Sequence, residues 1–298
     1  MLKPAVVIAA LMAATFAYAA TPRDNLVVTT DWLAQHINDA NLVILHSGSA
    51  NDYNAGHIAG ARLAAQDALS VGGAAAGGLT LELPSAAELR NQMQAMGISD
   101  NSKVVVYATR DVQAATRLIL TLDAAGLGDK AVLLDGGLNE WKRGNRPTVT
   151  EATPPKTGTL AALKMQPRIV DQAFVQSHAK SPGYVLIDAR AGQFYDGVAA
   201  GGAPPTKGHI PGAKSIPFSS LSGADGKLKP ADQLQALFTA AGVKAGDHVM
   251  VYCHVGQQAT AVVFAARTLG IDAQLYDGSF QEWSAKGLPV ELPPAAAG

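Results

Sequence analysis

The residue type best suited to nucleophilic chemistry occurs once in this sequence of 298 residues, as Cys253. It follows the apolar run 248–252, which predicts a buried strand, and precedes 257–269, whose apolar spacing predicts a helix. A loop that turns onto a helix N-terminus directs backbone N–H groups inward, and these donors favour an anion at its centre. We therefore expect the Cys253 thiol to have a lowered pKa, and the same donors would stabilise a persulfide anion.

The loop that begins at Cys253 reads Cys-His-Val-Gly-Gln-Gln over residues 253–258. Gly256 would let this loop close tightly, because glycine has no Cβ to obstruct a positive φ. The competing interpretation is an inert thiol beside the strand end, since free cysteine is often buried. The position between a strand and a helix favours a functional thiol, because parallel α/β sheets place their sites at the carboxyl ends of strands.

The elements that must position this loop occur twice in the chain. Three sequence blocks return in the same order, which indicates a duplicated domain. The paired blocks are Gly-His-Ile-Ala-Gly-Ala at 56–61 and Gly-His-Ile-Pro-Gly-Ala at 208–213, Val-Val-Val-Tyr at 104–107 and Val-Met-Val-Tyr at 249–252, and Asp-Gly-Gly at 135–137 and Asp-Gly-Ser at 277–279.

The repeat predicts two modules of similar length. We place the first at 25–149 and the second at 168–292, with a linker at 150–167 that carries no periodic apolar pattern. In the second module, short apolar runs alternate with segments of helical spacing; the runs are 184–187, 248–252 and 273–276, and the helical segments are 231–241 and 257–269. Such alternation predicts an α/β fold, in which each module has a parallel sheet covered by helices on both faces.

The first 19 residues predict a signal peptide rather than a part of the fold. Lys3 precedes a stretch of apolar or small residues over 5–20, and Ala-Tyr-Ala at 17–19 has the form of a cleavage site. The alternative is an uncleaved anchor, but the stretch is shorter than the ~20 residues of a spanning helix. We expect a periplasmic or secreted protein without stable membrane association after cleavage. Its single cysteine excludes an internal disulfide.

Composition narrows the possible functions further. Hydrophobic residues make up 48% and charged residues 16% of the chain, which is typical of a globular protein. The formal net charge of −1 gives no general attraction to nucleic acid. Seven histidines without tight ligand spacing, together with one cysteine, give no zinc pattern. We therefore expect no metal and no nucleic-acid partner.

Residues 252–260, Tyr-Cys-His-Val-Gly-Gln-Gln-Ala-Thr, resemble the catalytic loop of the rhodanese sulfurtransferases. Leu-Ile-Asp-Ala-Arg at 186–190, the Gly-His-Ile motif at 208–213, and Asp277-Gly278 with the Glu-Trp pair at 282–283 are similar to that family too. The resemblance covers nearly the whole mature chain as two copies. It implies a tandem rhodanese that needs no metal and no organic cofactor.

The resemblance also implies a reaction and a set of site residues. Thiosulfate would donate sulfur to Cys253, and the persulfide would pass it to cyanide or to a thiol. Arg190 is expected to hold the sulfonate end of thiosulfate and Asp188 to brace the loop, with a purely structural ion pair between them as the alternative. The other expected substrate-binding residues belong to the loop itself: His254, Val255, Gly256, Gln257 and Gln258.

The first module lacks the residues of this chemistry. When Tyr107 is aligned with Tyr252, Ala108 stands at the position of Cys253. Leu-His-Ser at 45–47 likewise replaces the Asp-x-Arg signature. We therefore expect the first module to be catalytically inactive and to support the second, as the resemblance to tandem rhodaneses implies.

Two alternatives to a thiosulfate sulfurtransferase stay open. Transfer from 3-mercaptopyruvate needs the same persulfide but a pocket for a carboxylate. A non-enzymatic persulfide carrier would load sulfur once and turn over little. A phosphatase on a related fold is disfavoured, because its loop closes on an arginine, whereas Gln-Gln-Ala-Thr stands at 257–260.

Overall fold

The structure is a computed structural model that describes residues 21–73, 78–154 and 156–292. The first module contains five strands and six α-helices among these residues. In chain order they are α1 Pro22–Leu26, β1 Val27–Val28, α2 Thr30–His36, β2 Leu42–Ser47, α3 Ala50–Asn54, β3 Ala61–Ala64, α4 Ala86–Ala95, β4 Lys103–Tyr107, α5 Val112–Ala124, β5 Ala131–Leu134 and α6 Gly137–Arg143. A short 3-10 helix spans Gln66–Leu69.

The second module repeats this order and adds a small hairpin. Its elements are β6 Ile169–Val170, α7 Gln172–His178, β7 Tyr184–Asp188, α8 Gly192–Tyr195, the hairpin of β8 Ala200–Gly201 and β9 Thr206–Lys207, β10 Lys214–Ser215, a 3-10 helix at Phe218–Ser220, α9 Ala231–Ala240, β11 His248–Tyr252, α10 Ala259–Thr268, β12 Ala273–Tyr276 and α11 Ser279–Ala285. The five elements predicted in this module from apolar spacing are confirmed, with small shifts at their ends.

Both modules have the same five-stranded parallel sheet. The strand orders are β3-β2-β4-β5-β1 and β10-β7-β11-β12-β6. His46 pairs with Tyr107 in the first sheet, and Asp188 pairs with Tyr252 in the second. The central strands β4 and β11 are therefore equivalent, and their carboxyl ends lie beside those of β2 and β7. The predicted α/β fold, with a parallel sheet in each of two modules, is confirmed.

One hydrophobic core cluster is shared by the two modules, and each module has a further cluster of its own. The central strands are almost wholly apolar, as expected for parallel strands that are covered on both faces. Helices α5 and α10 pack between the sheets, and nearly every residue of each is buried. The Thr116 and Thr260 hydroxyls hydrogen-bond across this contact at 2.8 Å. A single cluster of buried side chains runs through both helices, so the modules form a continuous packed unit.

The repeated histidines brace equivalent turns. His57 stacks on Tyr53 with ring centroids 3.7 Å apart, and its Nδ1 lies 2.9 Å from the Tyr53 carbonyl oxygen. His209 stacks on Tyr195 in the same way at 3.8 Å, with Nδ1 2.9 Å from the Tyr195 carbonyl oxygen. Because the same contacts occur in both modules, these histidines hold the fold rather than serve the chemistry of one site.

The connection between the modules packs closely on the first one. No helix or strand is assigned to its described residues, 150–154 and 156–167. Leu160 is nevertheless buried, and its carbonyl accepts a hydrogen bond from Nε of Arg90 at 2.8 Å. The predicted signal peptide, 1–19, lies outside the described residues. Among the residues that are described, no helix is long and apolar enough to cross a membrane.

Candidate active site

Cys253 lies directly after β11, at the carboxyl edge of the second sheet. Its backbone N–H donates to Oγ of Ser279 at 3.2 Å, and its carbonyl accepts from the N–H of Phe280 at 3.0 Å. The carbonyl of His254 accepts from the N–H of Gln281, also at 3.0 Å. The first turn of α11 thus holds the start of the loop by its backbone, while α10 begins at the other end of the loop.

The loop surrounds the Cys253 sulfur with backbone donors. The N–H groups of four residues hydrogen-bond to it, namely Val255, Gly256, Gln258 and Ala259. The side chain is only 1% exposed. Burial raises the pKa of the thiol, and the four donors lower it without cancelling that effect, so the pKa lies above its ordinary value. The expectation of a lowered pKa is therefore wrong, because it counted the donors and the helix terminus but not the desolvation.

Asp188 and Arg190 form a buried ion pair, and neither side chain is exposed. Nη2 of Arg190 lies 2.6 Å from Oδ2 of Asp188 and donates to the Gly208 carbonyl at 2.8 Å. The hydroxyl of Tyr252 donates to the same carboxylate at 2.7 Å. Among the described residues, Nη1 of Arg190 has no hydrogen-bond partner. This arrangement fits the structural alternative for the pair, while one guanidinium nitrogen is left for another ligand.

The extra length of the second module folds over this ion pair. A Cβ added to Gly201, in the β8–β9 hairpin, would lie 3.1 Å from Nη1 of Arg190 and 3.2 Å from Nδ1 of His254. The His254 ring also meets Phe194 edge-on, with centroids 4.5 Å apart. Burial lowers the pKa of His254, as does the nearby Arg190 cation. The residue therefore faces the site as a neutral imidazole at pH 7.

A buried arginine of the first module reaches the catalytic loop. Arg117 lies on α5, and its Nη1 donates to the Gly256 carbonyl at 3.1 Å. The same guanidinium pairs with the carboxylate of Asp277, with Nη2 3.2 Å from Oδ2, and also donates to the Leu81 carbonyl. Each side chain of this ion pair is 5% exposed. The orientation of the Gly256 peptide is therefore set jointly by both modules.

Arg117, Asp277 and Ser279 were not predicted as site residues. The Asp-Gly motif at 277–278 repeats at 135–136, but repetition indicates a common fold rather than a catalytic contact. A usable signal was the change from glycine to serine at the next position. Gly137 and Ser279 both have positive φ, +55° and +50°. The Ser279 side chain makes a contact that glycine cannot, because its Oγ accepts the Cys253 N–H.

The equivalent edge of the first module is a cleft of about 820 Å³. The alignment of 45–47 with the Asp-x-Arg signature is wrong by one residue, because the strand register places His46 and Gly48 at the positions of Asp188 and Arg190. Ala108 stands at the position of Cys253, as predicted. Val255 and Gln257 of the catalytic loop line the same cleft. Of the predicted loop residues, these two line the space between the modules. The N–H groups of Val255, Gly256 and Gln258 point at the sulfur. The substrate contacts of Val255, Gly256, Gln257 and Gln258 stay predictions.

No group of three His, Cys, Asp or Glu side chains is arranged to hold a metal ion in the part of the chain that the structure describes.

Comparison with known proteins agrees with the geometry. Two segments, 29–144 and 171–286, match the family Rhodanese, described as a rhodanese-like domain. The chain belongs to the rhodanese family. It is 31% identical to the 3-mercaptopyruvate sulfurtransferase of Escherichia coli K12 over 277 residues, which cover 89% of this chain and 97% of that protein. It is 28% identical to thiosulfate/3-mercaptopyruvate sulfurtransferase 1, mitochondrial, of Arabidopsis thaliana, over 89% of this chain and 78% of that one.

Solved structures agree on the fold. The structure described as wild-type EanB superposes with a TM-score of 0.83 at 21% identity, over 93% of this chain and 71% of that one. At that identity the likeness concerns architecture alone. Together, the family match over both modules and the named relatives make this tandem rhodanese a sulfurtransferase enzyme.

Gly256→Ala should disable sulfur loading. The residue has φ of +75°, and a Cβ would lie 2.6 Å from Oδ1 and 2.8 Å from the carbonyl oxygen of Asp277. The loop must then shift, which misplaces donors around the sulfur. We expect persulfide formation to slow on the order of a hundredfold, measured by rapid mixing with a sulfur donor.

Gly226→Ala is the matched control for this variant. Gly226 has a similar φ of +79°, but a Cβ there would meet nothing within 4 Å. It should lose about 1 kcal/mol of unfolding free energy and keep its loading rate. Equal loss of rate in both variants would show that backbone strain, and not the geometry of the catalytic loop, governs the reaction.

The raised pKa of Cys253 predicts how the thiolate forms with pH. Thiolate absorbance, taken as the difference between the wild type and Cys253→Ser, should appear at higher pH in the folded protein than in urea. Because Cys253 is the single cysteine, the same chain unfolded in urea provides the reference pKa for its thiol. A group whose folded pKa is raised stabilises the fold below its unfolded pKa and loses this contribution as pH rises. A folded midpoint below the unfolded one would contradict the dominance of burial.

Proposed function

We propose that this protein transfers sulfane sulfur from a small donor to an acceptor through a persulfide on Cys253. The observation that carries the proposal is the ring of four N–H donors around the only thiol of the chain. Such a ring stabilises the anion that forms when the thiol loses its proton, and it can equally hold the terminal sulfur of a persulfide. A merely structural buried cysteine would have no use for these donors.

The proposed donor is thiosulfate. The Cys253 thiolate attacks the outer sulfur of thiosulfate, an S–S bond forms to Cys253, and the S–S bond of thiosulfate breaks. Sulfite leaves with the electron pair of that bond. Cyanide or a thiolate then attacks the terminal sulfur of the persulfide, and the Cys253 thiolate is regenerated as thiocyanate or a new persulfide departs. Oxidation states balance within each exchange, so no external oxidant is needed.

The residues beside Cys253 would share the remaining work. Nη1 of Arg190 is a buried donor without a hydrogen-bond partner among the described residues, and it points towards Gly201 and His254. An oxygen of the donor could take this bond, although the rest of the guanidinium is committed to Asp188. The amides of the loop would hold the negative charge on sulfur through both half-reactions.

3-Mercaptopyruvate is the second candidate donor, and two observations favour it. The residues at 254–258 contain no lysine or arginine, and the pKa of His254 is lowered, so the loop offers little positive charge to the dianion thiosulfate. The relative in Escherichia coli is named for 3-mercaptopyruvate. Steady-state kinetics with each donor and a common acceptor would distinguish the two, through the ratio of their kcat/KM values.

Cys253→Ser should abolish sulfur transfer, because a hydroxyl forms no persulfide under these conditions. Activity is measured as turnover with thiosulfate or 3-mercaptopyruvate as the donor and cyanide as the acceptor, and it should be absent in the variant. Intact-protein mass spectrometry after donor treatment should show one added sulfur on the wild type and none on the variant. The unfolding transition should change little, since the substitution is nearly isosteric. Residual turnover of the variant with cyanide would refute the proposed mechanism.

We also propose that the protein is exported to the periplasm or secreted. Support comes from the sequence alone, namely Lys3, the apolar stretch 5–20 and the Ala-Tyr-Ala site at 17–19. Protein recovered from an extracytoplasmic fraction of a bacterial host should begin near Ala20 by N-terminal sequencing. Ala17→Gln should block this processing and leave the longer chain. Wild-type protein found only in the cytoplasm with an intact N-terminus would contradict export.

A further inference from the structure

The carbonyl groups of the catalytic loop are held away from the Cys253 sulfur. Four N–H groups of this stretch hydrogen-bond to the sulfur, so the neighbouring carbonyls find their partners elsewhere. The Cys253 and His254 carbonyls accept from backbone N–H groups at the start of α11, at 3.0 Å each. The carbonyls of Gly256 and Gln257 are held instead at the contact with α5, which belongs to the first module.

Arg117 holds the Gly256 carbonyl directly. Its Nη1 donates to that carbonyl at 3.1 Å and also to Oδ1 of Asp277. Its Nη2 donates to Oδ2 of Asp277 at 3.2 Å and also to the Leu81 carbonyl. The four N–H groups of the two Nη atoms thus all have partners within the protein. Arg117 is therefore committed to the loop and its surroundings, and no Nη donor is left for a substrate.

The preceding residue of α5, Thr116, holds the next carbonyl through one intermediate. Oγ1 of Thr260 donates to the Gln257 carbonyl at 2.7 Å. Because this is the shortest contact of a hydroxyl that has a single hydrogen, Thr116 is the donor in the 2.8 Å contact between the two threonine hydroxyls. Both threonines are buried. Two consecutive residues of the first module therefore hold two consecutive carbonyls of the catalytic loop.

The direction of the Gly256 carbonyl needs such a partner because glycine does not fix it. Gly256 has φ of +75°, and without a Cβ its backbone can turn the following peptide group either way. The opposite direction would aim a carbonyl oxygen at the sulfur, where its partial negative charge would oppose an anion. It would also displace the N–H groups of Gln258 and Ala259, which follow in the ring. The anion site therefore requires that these carbonyls stay directed outward.

We propose that Thr116 and Arg117 are positioning residues for sulfur transfer, which hold the Gly256 and Gln257 carbonyls outward and so keep the ring of N–H donors directed at Cys253. This inference rests on the proposed persulfide function, to which it adds two residues of the module that has no cysteine. Neither residue contacts the sulfur donor. Their loss should therefore lower the rate at which bound donor loads Cys253 and leave the donor concentration for half-saturation unchanged.

Arg117→Lys tests the direct contact while it keeps a charge opposite Asp277. Lysine lacks the planar fork that reaches Asp277, Leu81 and Gly256 together. Persulfide loading at saturating thiosulfate or 3-mercaptopyruvate, followed by rapid quenching and intact-protein mass spectrometry, should slow about tenfold, the value of one charge-assisted hydrogen bond. Arg267→Lys is the matched control, because Arg267 also pairs across the modules, with Asp123 at 2.9 Å, but lies in the last turn of α10, away from the loop. Its loading rate should equal that of the wild type.

Thr116→Val tests the second carbonyl with a nearly isosteric change. We expect loading to slow about fivefold, the value of one neutral hydrogen bond. Thr121→Val is its matched control. Thr121 is also buried on α5, but its hydroxyl donates at 3.1 Å to the backbone carbonyl of Arg117, within the helix itself. This control should load sulfur at the wild-type rate.

The form of the loss separates positioning from damage to the fold. A positioning defect slows loading, raises the pKa of the Cys253 thiol further, because its anion loses donors, and leaves the final amount of persulfide unchanged. A smaller final amount reached at the wild-type rate would be a fold defect and would overturn the proposal. Wild-type rates in both Arg117→Lys and Thr116→Val, equal losses in the two controls, or a higher donor concentration for half-saturation would do the same. If the wild type takes up no sulfur, the proposed function fails, while the thiolate titrations of these variants still decide whether α5 positions the loop.

Discussion

The opposition between burial and backbone donors at the Cys253 sulfur is the interaction on which the site depends. Desolvation favours the neutral thiol, while the N–H groups of Val255, Gly256, Gln258 and Ala259 favour the anion. The balance leaves a thiol that is protonated before it reacts and is already surrounded by N–H donors that can bind an anion. A preorganised site of this kind stabilises charge as it develops and needs no rearrangement at the moment of reaction. Few polar side chains are then required in the loop itself.

That balance holds only while the loop keeps its shape, and the shape is held from outside the loop. Ser279 fixes the N–H of Cys253, and the Arg117–Asp277 pair fixes the Gly256 peptide. Removal of one partner of a buried ion pair typically costs about 3–5 kcal/mol, because the other charge is left uncompensated. Arg117 comes from the module without a catalytic cysteine. The first module thus helps to position the loop that carries Cys253, which gives a physical reason for the close packing of the two modules.

The fold was readily predictable from the sequence, because its signals are local. Apolar runs such as Val-Met-Val-Tyr mark buried parallel strands, and the repeated motifs mark equivalent turns. The location of Cys253 followed from the same local pattern. Its protonation state did not, because desolvation depends on how α11 and, from the first module, α5 pack around the loop, and a local pattern does not show this packing. For the same reason, the contact of Arg117 with Gly256 across 139 positions could not be read from motifs.

Comparison of the two modules shows which parts of this fold do not depend on the residues of the Cys253 site. Tyr107 and Tyr252 each accept the N–H of an isoleucine at 3.0 Å, from Ile58 and Ile210 respectively. Only Tyr252 also donates to a carboxylate, that of Asp188. The tyrosine therefore serves the turn in both modules, and the ion pair is an addition that only one module carries. In the first module, which lacks the ion pair, the strands pack as they do in the second, but a cleft is open at their carboxyl ends. A copy of the domain without the catalytic cysteine can therefore keep its full packing and still offer a cavity.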